Sequence, residues 1–152
     1  MPFEFEKHAV KGNEFVTLVA EELEVSPGIA GSIIRAVFHA LRNRLTHEES
    51  FKLLALLPMA LKGVYLDGWK YDKDFNQISH MEDFLDEVRL EDGGMAGFEF
   101  ADNSKAKTAI ACIFRTLNYF VSYEEMNEIL NVLSAELKKF IKESISGDET
   151  VL

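Results

Sequence analysis

The feature that most constrains this 152-residue chain is an internal repeat, because a repeat decides architecture before any single motif does. Shifted by 76 positions, residues 36–65 fall on residues 112–141 without a gap. Phe38 meets Phe114, Leu41 meets Leu117, and Glu48-Glu49 meet Glu124-Glu125. Leu54, Leu57, Leu61 and Lys62 meet Leu130, Leu133, Leu137 and Lys138, which makes eight identities over thirty positions. Leucine-rich helices align by chance more easily than most segments, so the shared punctuation carries the argument. Thr46-His47-Glu48-Glu49 and Ser122-Tyr123-Glu124-Glu125 occupy the same place in the two copies. Each is a capping box: the hydroxyl accepts from the amide three residues on, and the glutamate reaches back to the cap amide.

Further helix starts have the same physical logic. Ser26-Pro27 puts a hydroxyl cap before a proline whose missing N–H costs nothing in a first turn. Ser79-His80-Met81-Glu82 offers a third capping box. Between the caps, Ile33, Ile34, Val37, Phe38, Leu41 and Leu45 recur at helical intervals, as do Ile110, Ile113, Phe114, Leu117 and Val121. Strict alternation is confined to Phe3-Glu4-Phe5-Glu6 and Phe98-Glu99-Phe100, too short for a sheet of consequence. The spacing predicts helices near 13–24, 27–45, 47–57, 58–66, 80–90, 105–121 and 123–144. Pro58 should break the third from the fourth, whereas Ser134 at its place in the second copy lets one helix run on.

The fold expected is therefore all-α, a compact bundle of about seven to eight helices built from two tandem pseudo-symmetric repeats. The whole chain, 1–152, reads as one domain, with repeats at about 13–69 and 80–144 and a hinge at about 67–79. A glycine-rich loop at about 91–103, with Gly93, Gly94 and Gly97, is inserted only in the second copy.

These residues resemble an uncharacterised bacterial family, domain of unknown function 2267. Its pattern is a phenylalanine-led first helix, an arginine-bearing second helix, and a leucine–proline break ending in glycine–tryptophan. The matching residues are Phe15-Val16, Val19-Ala20, Leu41-Arg42-Asn43-Arg44-Leu45-Thr46-His47-Glu48-Glu49, Leu57-Pro58, Leu61-Lys62, Tyr65 and Gly68-Trp69. The resemblance spans most of residues 13–142 and implies two tandem helical units. The second copy departs from the pattern in lacking the proline and the glycine–tryptophan. No activity comes with the family.

Charge narrows the partners. The net charge is −10, and most of it lies in residues 69–152, at −8 against −2 in residues 1–68. That balance disfavours nucleic-acid phosphates and anionic membranes, both of which need a positive face. The longest apolar stretch, Leu53 to Leu61, is too short to span a bilayer, and the N-terminus has no signal-peptide pattern. A lone cysteine, Cys112, fits a reducing cytoplasm.

Candidate chemistry gives way to structural explanations. None of His8, His39, His47 and His80 has a glutamate three positions before it, so no Glu-x-x-His pair places two metal ligands on one helix face. The paired glutamates at 48–49 and 124–125 sit where a helix dipole favours carboxylates. The acids between Glu82 and Asp102 lack the alternation of a calcium loop and read as a solvated face plus a loop. Cys112, beside Ile113 and Phe114, reads as a buried thiol.

No catalytic residue, metal ligand or cofactor is expected. The hinge has the least ordinary composition, with Tyr65, Trp69, Tyr71 and Phe75 within eleven residues. Such aromatics suit packing between the copies and also partner recognition. The function expected is a non-enzymatic helical module that binds a protein partner or forms a homo-oligomer. The competing reading is a small-molecule-binding protein or enzyme with its site between the two repeats.

Overall fold

The computed structural model describes residues 4–70, 80–95 and 97–150. They form helices α1 (Phe5–Leu23), α2 (Pro27–Arg44), α3 (His47–Leu56) and α4 (Met59–Leu66), then α5 (Met81–Asp92), α6 (Asn103–Leu117), α7 (Tyr123–Asn131) and α8 (Ala135–Thr150). A 3-10 turn at Gly97–Phe100 precedes α6, and no strand occurs among the described residues. The fold is an all-α bundle.

Local chemistry sets the helix starts. Ser26 Oγ accepts from the Ile29 amide at 3.2 Å to open α2. Both capping boxes close: the Glu49 amide donates to Thr46 Oγ1 at 3.1 Å, and the Thr46 amide donates to Glu49 Oε1 at 2.9 Å. In the second half the same two bonds, Glu125 to Ser122 and back, measure 3.1 and 2.8 Å. A cap of this kind contributes about 1 kcal/mol to its helix. At the predicted third box the cap residue is His80, whose side chain makes no cap bond, while Ser79 lies outside the described residues.

Three expectations need correction. The helix predicted over 123–144 is two helices, because Ser134 replaces Pro58 in function as well as in place. The backbone tightens at Val132 and Leu133, whose amides donate to Ile129 and Leu130 at 3.2 and 3.1 Å, and Ser134 Oγ then accepts from Leu137. The first helix starts at Phe5 rather than near residue 13, running through Gly12. That glycine permits a close crossing: a Cβ there would stand 2.7 Å from the Ala60 Cβ on α4. The third concerns the helix predicted over 105–121, which is Asn103–Leu117, and the loop expected at about 91–103 lies between α5 and α6. Helix α5 continues to Asp92 and ends on Gly93 at φ 60°, and Asp102 caps α6.

One continuous apolar core draws on both halves. Phe15, Val19, Ile33, Phe38 and Leu53 join Leu85, Ile110, Phe114, Leu117 and Ile129 in it. Helix α2 packs on α5, α1 on α6 and α3 on α7, so each of the first three helices touches the second half. Positions paired by the 76-residue offset share burial: Phe38 and Phe114, Leu41 and Leu117, Leu57 and Leu133, and Leu61 and Leu137 are all buried. In one pair of positions the chemistry changes while burial persists. Ser50 donates to or accepts from the Tyr65 hydroxyl at 2.7 Å, and their equivalents Met126 and Ile141 are an apolar pair.

Candidate functional site

Helix α2 carries polar residues on a face that is otherwise core. Arg35, His39 and Arg42 recur at intervals of four and three, so they form one row. The row closes the C-terminus of α4, where backbone carbonyls lack intrahelical partners. His39 Nε2 lies 2.9 Å from the Val64 carbonyl and donates to it. Arg42 Nη1 donates to the carbonyls of Tyr65 and Asp67 at 2.8 and 2.6 Å, and Arg35 pairs with the Asp67 carboxylate. Cations at a helix C-terminus also meet the negative end of its dipole. The clamp explains why α4 stops where α8 continues. In the second half the same positions hold Ala111, Arg115 and Asn118, and Arg115 turns instead to Glu22 on α1.

Arg42 is 8% exposed, and one nitrogen of its guanidinium, Nη1, donates to both carbonyls. Arg42→Ala should therefore cost about 3 kcal/mol, the scale of losing charge-assisted bonds at a buried site. Arg42→Lys should recover only part of that, since a compact, strongly hydrated ammonium is costlier to desolvate at this buried place than a guanidinium. The urea midpoints of the two variants measure both effects.

His39 is buried, and burial foremost holds its pKa below the ordinary 6.5, helped by Arg42 and Arg35 and opposed by the Val64 carbonyl and Glu91. The unfolded chain thus takes up a proton at higher pH than the folded one. The linked stability is complete above about pH 6.5 and is lost as pH falls below it toward the folded pKa. Denaturant midpoints measured from about pH 7 down to about pH 5 should fall more steeply in the wild type than in His39→Gln.

A second polar seam joins the halves. Asn43 donates to Glu87 at 2.7 Å and to Glu91 at 3.0 Å, Arg44 pairs with Glu87, and His39 Nδ1 faces Glu91 at 3.8 Å. Part of the acidic stretch, expected as a solvated face, thus turns inward against α2. Glu87 and Glu91 balance the basic end of that helix. Among the described residues no group of three or more His, Cys, Asp or Glu is placed to hold a metal ion.

The aromatics named at the hinge separate. Tyr65 is fully buried with its hydroxyl bonded to Ser50, and burial pushes its phenol well above the usual range. Trp69 is half-buried, its ring 5.6 Å from His47, 6.2 Å from Phe51 and 6.0 Å from Tyr65, all in an edge-on arrangement. These three ring neighbours all belong to α3 and α4, so Trp69 covers the first unit's own helix pair. Gly68 at φ 71° allows the turn that brings it back, and the Trp69 amide donates to the Leu66 carbonyl at 3.0 Å. Tyr71 and Phe75 lie outside the described residues. The sequence reading missed Phe51, which is 56% exposed beside Trp69. Its signal was present: Phe51 stands off the Ser50-Leu53-Leu57 stripe, and the offset pairs it with a polar Asn127.

Cys112 is buried, and desolvation together with the Glu22 carboxylate pushes its thiol up to about 12. Such a thiol is protonated at neutral pH and is no nucleophile. Between the halves lies a cleft of about 100 Å³ lined by Leu41, Arg44, Glu49, Phe84, Ser134 and Leu137, among others. Glu49 and Ser134 there are helix caps.

No described helix is long and apolar enough to cross a membrane. A comparison with curated proteins returns no match. A family model described as an uncharacterized conserved protein, DUF2267, matches residues 12–140, a span that includes the capping boxes, the α2 clamp and the hinge-side aromatics. On that match the chain belongs to the DUF2267 family.

Proposed function

We propose that the protein is a non-enzymatic helical module that docks a partner protein on the hinge-side face of its first unit. The observation that supports this reading is Phe51, 56% exposed and edge-on to the half-buried Trp69. Leu66, at the end of α4, adds a further exposed apolar side chain to the same end of the unit. Aromatic anchors of this kind dominate protein interfaces, where one ring is buried and its neighbour offers the contact. The whole chain's net charge of −10, of which only −2 lies in residues 1–68, favours the approach of a basic partner. A second copy would bring like charge to like. A reducing cytoplasm suits the module, whose single cysteine is a core residue.

The competing reading, a small-molecule or catalytic site between the repeats, has less support. One cleft between the halves holds about 100 Å³, below the roughly 300–1,000 Å³ of small-molecule sites, and another of about 450 Å³, lined by Lys52, Ala55, Leu56, Glu128, Asn131 and Val132, is an open groove. In the smaller one Glu49 and Ser134 are engaged at helix starts and Arg44 by Glu87.

Affinity capture with the wild type, Phe51→Asp and Tyr119→Asp tests the proposal. Tyr119 is an exposed ring just after α6 in the second half, so its variant controls for surface charge. The expected result is a protein retained by the wild type and Tyr119→Asp but lost from Phe51→Asp. Added back in purified form, it should shift the emission of Trp69, the chain's single tryptophan. Capture unaffected by Phe51→Asp, or binding that leaves Trp69 emission unchanged, would refute the assignment of this face.

A further inference from the structure

The two halves differ most at the seat of Trp69. In the first unit its ring lies against His47 and Phe51 of α3 and Tyr65 of α4. Continued past Ile141, the 76-residue offset pairs His47 with Tyr123, Phe51 with Asn127, Leu66 with Lys142 and Trp69 with Ile145. At that place the second unit has an open cleft of about 300 Å³ lined by Tyr123, Asn127, Lys142 and Ile145, with Met126 and Leu130 also in its wall. The reason is local. Helix α4 ends under the α2 clamp, so the chain can turn at Gly68 and fold an indole back, whereas α8 runs straight on through Ile145. No tryptophan follows to fill the space.

We propose that this cleft binds a planar aromatic ring carrying a carboxylate, seated where the first unit seats its own indole. Met126 and Leu130, both buried, offer an apolar floor, and Ile145 is the half-buried wall. Tyr123, 78% exposed, stands at the position from which His47 meets Trp69 edge-on, a geometry aromatic pairs favour. The rim differs from that of the first unit in polarity. Asn127 replaces Phe51 and Lys142 replaces Leu66, so an amide and an ammonium stand where the first unit has a ring and an alkyl chain. A neutral hydrocarbon would leave both without a use; a carboxylate on the ring gives Lys142 an ion pair and Asn127 a bond to donate. The volume lies at the lower end for small-molecule sites.

Two sources carry this chemistry, a free aromatic acid and the C-terminal residue of a peptide. Calorimetric titration of the full chain with indole-3-acetate, with indole, and with a short peptide ending in tryptophan separates them. Saturable binding of indole-3-acetate or of the peptide supports the site, and the tighter of the two identifies the source. Ile145→Trp supplies the missing indole from within and should weaken binding by at least about tenfold. Asn127→Phe restores the first unit's ring and should act in the same direction, with circular dichroism confirming that each variant is folded. The exposed Lys142→Gln should weaken the acids by about threefold, as loss of a surface ion pair does, and leave indole unchanged. No saturable binding of either acid at millimolar concentration would overturn the proposal. So would binding that survives unaltered in folded Ile145→Trp and Asn127→Phe.

Discussion

Phe114→Ala is expected to destabilise the protein by about 3–5 kcal/mol, and Phe38→Ala by a similar amount. The two rings are each 1% exposed and stand at positions related by the 76-residue offset. Each lies on a helix with many buried residues, Phe38 on α2 and Phe114 in the last turn of α6. Truncation removes the transfer free energy of a ring and leaves a cavity that close-packed neighbours fill only in part. A domain of this size has a total stability of about 5–15 kcal/mol, so either change takes a large fraction of it. Tyr119→Ala, at an exposed ring, should stay within about 0.5 kcal/mol of the wild type. Urea titrations of the three variants make the comparison. Costs that differ widely between Phe38→Ala and Phe114→Ala would separate two positions that the repeat treats as one.

Much of this fold is legible because its helix ends are written in side chains next to them in sequence. Thr46 with Glu49 and Ser122 with Glu125 act within one turn, so their roles follow from spacing alone. The apolar stripes are equally local, and the residues read from them between Ile33 and Leu45 and between Ile110 and Leu117 are core, while Val121, read into the second stripe, lies past the end of α6 and is half-buried. What spacing does not reveal depends on partners distant in the chain. Gly12 lies just before the helix start expected near residue 13, and only the Ala60 side chain against it shows that it lets α1 cross α4. Ser134 reads as a permissive replacement for Pro58, yet a serine caps a helix as readily as it continues one.

The clamp on α4 is the clearest case. His39 and Arg42 interrupt an apolar helix, and their acceptors are backbone carbonyls more than twenty residues away. A backbone acceptor leaves no mark in the sequence. The same holds for Glu87 and Glu91, which composition assigns to solvent and the fold assigns to Asn43 and Arg44. At the hinge, composition pointed to the right neighbourhood without sorting it. Tyr65 and Trp69 are four residues apart, and a helix end between them sends one into the core and leaves the other at the surface beside Phe51.

We propose that the two halves of the chain, which share one core, each depend on the other to fold. Each unit of about 65 residues is near the lower limit for independent folding. Three of its helices pack across onto the other, α2 on α5, α1 on α6 and α3 on α7. Separation would also strip Glu87 and Glu91 from Asn43 and Arg44. The direct measurement is thermal unfolding by circular dichroism of residues 1–72 and 73–152, expressed separately and then mixed. The account predicts no cooperative transition from either half alone and one transition, at the temperature of the intact chain or somewhat below it, from the mixture. A cooperative transition from either isolated half would contradict it.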